Sequence, residues 1–108
     1  MKLRSIDFVS VQLIAKCAEK KSLVAAAHEC HITVSAASRR LSIFEDLLDC
    51  KIFRRTFRGL EITEEGKIII NSCYEILLNF DKLIKKRSKH ASEKPFELNL
   101  YHPSMTQV

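Results

Sequence analysis

The chain has 108 residues, 46% of them hydrophobic and only two each glycine and proline, so it can bury one small core and is expected to be mostly helical. This length leaves little room for a large catalytic cleft, and no uncharged apolar run approaches the ~20 residues of a membrane helix. The net charge is +5, and its distribution along the chain is more informative than its total.

The first predicted helix runs from about Asp7 to Lys20 and is amphipathic. Its apolar side chains recur every three or four residues, which places them on one face. They are Phe8, Val11, Ile14, Ala15 and Ala18. We expect this face to form the floor of the core.

Two further helices joined by a tight turn are predicted over about 23–30 and 34–48. Ser22 and Thr33 stand where helix N-caps belong, and the turn between the helices spans Cys30–Ile32. A turn of this length is typical of a helix-turn-helix. Small alanines let the two axes approach, and the larger apolar contacts are expected from Leu23, Ile32, Leu41, Phe44 and Leu48. The polar face of the second helix carries Ser35, Ser38, Arg39 and Ser42.

A hairpin is predicted after these helices. Its strands are Lys51–Arg54 and Leu60–Thr63, and residues 55–59 form the turn, with Gly59 at its end. Residues alternate between apolar and polar on both sides of the turn. We interpret the hairpin as a wing beside the helix-turn-helix.

Six cations fall within twenty residues of this region, and no acid lies between Lys51 and Leu60. The six are Arg39, Arg40, Lys51, Arg54, Arg55 and Arg58. Such a cluster is typical of a phosphate-binding surface, although a solvated face is the alternative. A second basic run, at 85–89, is interpreted as a solvated helix end that favours the helix dipole, with any role in DNA binding secondary.

A long helix is predicted from Glu64 to about residue 88, with Thr63 as its N-cap. Its apolar stripe extends well beyond a domain of this size and is expected to pair with the same helix of a second copy, antiparallel or crossed. The alternative is that the helix folds back on its own domain. The predicted dimerisation residues are Ile69, Ile70, Cys73, Ile76, Leu77, Phe80, Leu83 and Ile84.

The four cysteines show no CxxC spacing and lie in or beside predicted helices. They are Cys17, Cys30, Cys50 and Cys73. We expect reduced, mostly buried thiols in a cytoplasmic protein. A metal site at His28, Cys30 and His31 lacks a fourth ligand of suitable spacing, and nothing marks Cys30 or Cys50 as a redox switch, so both remain minor alternatives.

From about Phe8 to Leu83 the chain resembles the N-terminal module of LysR-type transcriptional regulators. The matching pieces, in order, are Ala18-Glu19, Ser22-Leu23, Ala26-Ala27, His31-Ile32-Thr33, Ala36, Ser38-Arg39, Phe44-Glu45, Leu48, Ile52-Phe53, Arg55-Thr56, Arg58 and 60–66 (LEITEEG). The resemblance implies a mainly α, winged helix-turn-helix (three helices and a two-stranded β wing) followed by a long dimerisation linker helix. It also implies promoter DNA as partner, a homodimer or a tetramer in the full-length bacterial regulator, and a separate C-terminal effector-binding domain.

Several residues depart from the family pattern. Val34 and Ser35 stand where the family usually shows Gln then Pro, so the operator sequence cannot be borrowed from relatives. Lys21 and Asp49 replace glycines usual at helix ends, at some cost in backbone strain. The effector domain is missing, although residues 96–101 (FELNLY) resemble its opening strand. A small-molecule inducer is therefore expected only if an effector domain exists.

The predicted organisation is a DNA-binding domain over 1–63, a linker helix over 64–88 and a loose tail over 89–108. The predicted DNA-binding residues are Ser22, Thr33, Val34, Ser35, Ser38, Arg39, Arg40, Arg55 and Arg58. The helix from Val34 is expected in the major groove, with Arg39 reading a base. Arg55 and Arg58 are expected at the flanking backbone or minor groove, and a structural ion pair of Arg55 with Glu45 or Asp46 is the alternative.

The sequence therefore predicts a sequence-specific, dimeric DNA-binding regulator without a cofactor. The alternative function is a short interaction module that pairs through its linker helix with a full-length regulator and modulates it. An enzyme is not expected, because no paired carboxylates, nucleophile with base or phosphate-binding glycine loop occur at workable spacing.

Overall fold

The computed structural model of the protein describes residues 6–90. Its elements, in chain order, are α1 (Phe8–Lys20), α2 (Leu23–Glu29), α3 (Val34–Leu48), β1 (Phe53–Thr56), β2 (Gly59–Ile62) and α4 (Glu64–His90). This order confirms the predicted fold class, a mainly α winged helix-turn-helix followed by a long helix. The tail predicted over 89–108 lies outside the described residues beyond His90. Among residues 6–90, no helix combines the length and apolar character needed to span a bilayer.

All four helices begin at a side-chain cap. In each case a side-chain oxygen accepts a hydrogen bond from the backbone N–H three residues later, at 2.9–3.1 Å. The capping residues are Asp7, Ser22, Thr33 and Thr63. The caps predicted at Ser22, Thr33 and Thr63 are thus confirmed, and they fix where each helix starts because they satisfy otherwise unpaired N–H groups.

Three residues with side chains hold a left-handed backbone at helix ends or in turns. Lys21 ends α1 at φ 53° and Asp49 ends α3 at φ 51°, the two positions where glycine was expected. His31, in the turn between α2 and α3, has φ 59°. Each conformation costs some energy in a residue other than glycine, so the predicted backbone strain is present without altering the fold.

The core lies where α1 meets the helix-turn-helix, the wing and α4. Within α1, Leu13, Ile14 and Cys17 are fully buried. Alanines 26, 27 and 37 are also buried, and they allow the close approach of α2 and α3. Leu48 was expected to pack here, but its side chain is 44% exposed because it is the last residue of α3 and lies at the edge of the domain.

The wing is an antiparallel hairpin in which Phe53 pairs with Ile62 and Thr56 with Gly59. Only Phe57 and Arg58 separate the strands, so the turn is shorter than the predicted 55–59 segment. Gly59 has φ +118°, and a Cβ there would lie 2.4 Å from the carbonyl oxygen of Lys21. Glycine is therefore required where the wing crosses the end of α1.

α4 packs lengthwise against α1, which corrects part of the predicted dimer face. Ile70, Cys73 and Leu77 are buried in the core of their own protomer, and the Phe80 ring lies 4.7 Å from that of Phe8. The alternative that the long helix folds back on its own domain therefore holds for this part of the stripe, because α1 covers it. Of the remaining predicted residues, Ile76 and Leu83 are exposed, whereas Ile69 and Ile84 are half-buried.

Candidate nucleic-acid interface

The first turns of α3 present a solvent-exposed face. Thr33, Val34 and Ser35 are exposed at its N-terminus, with Val34 43% exposed. One turn further, Arg39 is exposed and Ser38 half-buried. Residues four apart on a helix lie one above the other, so Val34 stacks with Ser38 and Ser35 with Arg39. Five of the predicted contact residues thus form one surface.

A hydrogen bond joins this helix face to the wing. A terminal guanidinium nitrogen of Arg55, on β1, donates to the Ser38 hydroxyl at 3.0 Å. In the described part of the chain Arg55 makes no ion pair with Glu45 or Asp46, so the alternative proposed for it was wrong. The bond brings the wing arginine beside the exposed face of α3 and leaves its other N–H donors facing solvent.

Glu45 has a structural role that its place in the sequence does not predict. Its buried carboxylate accepts hydrogen bonds from the backbone N–H of Ile52 at 2.7 Å and of Phe53 at 3.3 Å. Its other oxygen lies 3.5 Å from the Lys51 ammonium. These bonds fasten the start of the wing to α3, because each satisfies a backbone donor that the hairpin leaves unpaired.

A groove of about 580 Å³ runs between α3 and β1. Its floor includes Leu41 and Phe53, and its polar wall includes Ser38 and Ser42. Its cationic edge is formed by Lys51, Arg54 and Arg55, all exposed. The buried Glu45 carboxylate also lines the groove, but it is bonded to two backbone N–H groups and lies 3.5 Å from the Lys51 ammonium. The hydroxyl donors and the exposed cations are suited to an anionic backbone.

Arg40 has a structural partner. One guanidinium nitrogen bonds both carboxylate oxygens of Asp7 and lies 3.3 Å from the Ser10 hydroxyl. Burial raises the pKa of Asp7, but hydrogen bonds from Arg40 and Ser10 outweigh it and leave the pKa below its usual 3.8. Arg40 therefore ties α3 to the start of α1, and within residues 6–90 it is the one predicted DNA-binding arginine that pairs with a carboxylate.

Two of the wing arginines lie close to other side chains of the hairpin. Arg54 pairs across the strands with Glu61, its Nε lying 3.7 Å from the carboxylate. Arg58 is exposed in the turn, and its guanidinium carbon lies 5.4 Å from the centre of the Phe57 ring. Phe57 was not among the predicted site residues, although an aromatic residue in a basic hairpin turn is a signal that the sequence does contain.

Two hydroxyls of the predicted site already have local partners. Ser22 accepts from the backbone N–H of Ala25, and Thr33 accepts from that of Ala36 while lying 3.3 Å from the Ser35 hydroxyl. A hydroxyl that accepts still has a proton to donate, so both remain competent to bind a phosphate oxygen.

The cysteines lie apart from this surface or carry little thiolate. Burial raises the pKa of Cys17 to about 12 and that of Cys73 to about 11. Burial likewise raises the pKa of Cys30 and of Cys50. The reactive form is the thiolate, so nothing here supports a redox switch. In the described residues no cluster of three or more potential ligands is suited to a metal ion.

Residues 8–67, which include the helix-turn-helix, the wing and the first turn of α4, match the family model described as bacterial regulatory helix-turn-helix protein, lysR family. The chain belongs to the lysR family. It is 34% identical over 67 residues to the HTH-type transcriptional activator AaeR of Escherichia coli K12. That match covers 62% of this chain and 22% of AaeR, so the chain spans about a fifth of the length of this relative.

Solved structures agree with this assignment. The structure of VV2_1132, a LysR family transcriptional regulator, is 30% identical, with a TM-score of 0.68 over 82% of this chain and 30% of that one. The DNA-binding domain of BenM, in complex with catB site 1 DNA, has the same fold, with a TM-score of 0.74 at 22% identity over 81% of this chain and 98% of that one. The winged helix-turn-helix is thus that of a LysR-type DNA-binding domain, and these structures share the fold over about four fifths of this chain.

Proposed function

We propose that this chain binds promoter DNA in a sequence-specific manner, with α3 in the major groove. The observation that carries the proposal is the single surface formed by the exposed N-terminal face of α3 and the arginine-bearing wing, joined by the bond between Arg55 and Ser38. BenM, whose DNA-binding domain shares this fold, was solved in complex with DNA, which supports the same partner here.

Base reading falls to the exposed positions of α3. Arg39 is exposed, and in the described residues it makes no ion pair, so its planar fork is available to the O6 and N7 atoms of a guanine. Val34, at the position where the family shows Gln, offers an apolar contact such as a thymine methyl group. The preferred site is therefore expected to differ from those of relatives that carry Gln.

Phosphate contacts fall to the hydroxyls and the wing. Ser22, Thr33 and Ser38 donate from their hydroxyl groups, and the free backbone N–H groups at the start of α3 add to them. Arg55 and Arg58 meet the flanking backbone or the minor groove, where a narrow, A/T-rich groove attracts arginine. Arg40, already paired with Asp7, is expected to contribute less to phosphate binding than the arginines of the wing.

The DNA site is proposed to be partly palindromic because the protein is proposed to be a dimer. Ile69, Ile76 and Leu83 follow one another at intervals of seven, which places them on one face of α4, beside the face that packs on α1. The same face of a second copy is its simplest cover, and a twofold axis then generates two inverted half-sites.

The test is selection of bound sequences from a random duplex pool at near-physiological salt, with the mass of the protein in solution measured in parallel. Enriched inverted half-sites and a dimer mass are expected. If the dimer makes about eight phosphate contacts, the logarithm of the affinity falls against the logarithm of the salt concentration with a slope near −7. A dimer that enriches no sequence would contradict the proposal and favour a module that acts only by pairing with another regulator.

A further inference from the structure

The tip of the wing carries an aromatic side chain that the fold does not use. Phe57 is 94% exposed, the highest exposure of any large hydrophobic residue in the described part of the chain. It occupies the first position of the two-residue turn between β1 and β2. Hairpin turns favour glycine, asparagine and aspartate, so the turn itself has no need of a phenyl ring.

The core side of the wing is already filled without it. Phe53 and Leu60 supply the buried contacts of the hairpin, at 4% and 6% exposure. The contact that the structure gives the Phe57 ring is with Arg58, at 5.4 Å from the ring centre to the guanidinium carbon. Ring and guanidinium thus form an apolar and cationic pair at the outermost point of the wing.

We infer that Phe57 is a DNA-contacting residue whose ring enters the minor groove beside the site of α3, next to the Arg58 guanidinium. This inference rests on the proposed function. Apolar side chains and arginine are the groups that proteins place in the minor groove: the ring packs on sugars or against a base step, while arginine follows the negative potential. The pair at the wing tip presents both groups on adjacent residues.

The charge around the ring argues for DNA and against a protein partner. Arg54, Arg55 and Arg58 all lie on the same four-residue strand or its turn, and all are exposed. A protein partner covering Phe57 would have to desolvate these cations, and one ring is far smaller than the contact area of a stable protein interface. A polyanion meets the cations and the ring together.

The first test separates an apolar contact from a charged one. Affinity for the duplex enriched by selection is measured at several salt concentrations for the unmodified protein and for F57A, F57L and R58A. F57A is expected to weaken binding by about tenfold without changing the salt slope, because it removes apolar area and no charge. F57L should lose less affinity than F57A, and R58A should reduce the steepness of the salt dependence by about one. Thermal unfolding of F57A should be unchanged, because the ring is exposed.

The second test places a reporter at the wing tip. The chain has no tryptophan, so F57W introduces its only indole. Its emission should be quenched when the selected duplex is added, whereas that of L48W, a matched variant at an exposed apolar residue at the far end of α3, should not change. An unchanged F57A affinity, or equal responses of F57W and L48W, would overturn the inference while DNA binding stands. Failure of the unmodified protein to bind the duplex would overturn both proposals.

Discussion

Arg39 and Arg40 are neighbours in the sequence but face different surroundings in the structure. Successive residues of a helix point about 100° apart, so one side chain can face the ligand while the next faces the domain. Arg40 lies against Asp7 at the start of α1, whereas Arg39 is exposed beside Ser35. A basic pair read from sequence alone therefore divides into one arginine with a structural partner and one exposed arginine, which is the one proposed to contact DNA.

Replacing Arg39 by alanine is expected to relax base preference at one position of the site. The lost discrimination should be about 1–3 kcal/mol at that base pair, with little change elsewhere, because a bidentate contact reads a single guanine. The matched control is Arg58→Ala, which should weaken all sequences alike. Binding titrations against single-base variants of the selected site check this, and equal effects of the two substitutions on base preference would contradict it.

The Asp7–Arg40 pair should make stability depend on pH in the acid range. The pKa of Asp7 is below its usual 3.8 in the folded state, so the folded state holds fewer protons than the unfolded one. The stabilisation is therefore present above about pH 4 and is lost as the pH falls through the folded pKa. Since the Asp7 side chain is 49% exposed, solvent screening keeps its size below about 1 kcal/mol.

Asp7→Asn tests this pair, because asparagine still caps a helix but carries no charge. The variant is expected to be slightly less stable than the unmodified protein at pH 7, and the difference should shrink at pH 2.5, measured by urea unfolding at both pH values. Asp7→Ala, which also removes the cap, should remain less stable at both. A difference for Asp7→Asn that persists unchanged at pH 2.5 would rule out the ion pair as its source.

At the scale of elements, the wing depends on a buried carboxylate from α3. Glu45→Ala would leave the backbone N–H groups of Ile52 and Phe53 without their acceptor, which costs about 2 kcal/mol of the free energy of unfolding. Hydrogen exchange at those two N–H groups should also accelerate.

The control for Glu45→Ala is Lys51→Ala, which removes the other partner of the same carboxylate. The Lys51 side chain is 78% exposed, so its ion pair is screened and its loss should cost well under 1 kcal/mol. Urea unfolding of both variants makes the comparison. Similar losses from the two substitutions would mean that the ion pair, and not the backbone acceptor, holds the wing.

The sequence predicted those features whose physical causes lie within a few residues. The caps at Ser22, Thr33 and Thr63 act within three residues, and the helix starts were predicted correctly from them. The Glu45 bonds were missed because they connect residues of two elements, and an acid near a basic cluster resembles an ion-pair partner. The apolar stripe on α4 was predicted to face a second copy, although α1 covers part of it. The sequence pattern is the same whether α1 or a second copy covers the stripe.

At the scale of the molecule, α1 and α4 differ in length in a way that matters for assembly. α1 has 13 residues and α4 has 27, which at ~1.5 Å per residue makes them about 20 and 40 Å long. α1 can therefore cover only about half of α4. Ile70, Cys73 and Leu77 use that cover, whereas Leu83 lies beyond it and is 58% exposed.

The uncovered face gives the last prediction. Replacing Ile76 and Leu83 together by glutamate places four like charges, two from each copy, in the proposed interface, and should yield a particle near the 12.4 kDa of one chain where the unmodified protein has twice that mass. The protomer should remain folded, because both side chains are exposed. Leu78→Glu is the matched control. The Leu78 side chain is 53% exposed, but it flanks the face that packs on α1 on the side away from Ile76 and Leu83, so this variant should stay dimeric. Light scattering measures all three proteins, and a dimer mass for the double variant would place the interface elsewhere. A dimer binds both half-sites of the inverted repeat at once, so its affinity for the repeat exceeds its affinity for one half-site. The monomer should therefore lose most of the affinity for the inverted repeat while keeping that for a single half-site.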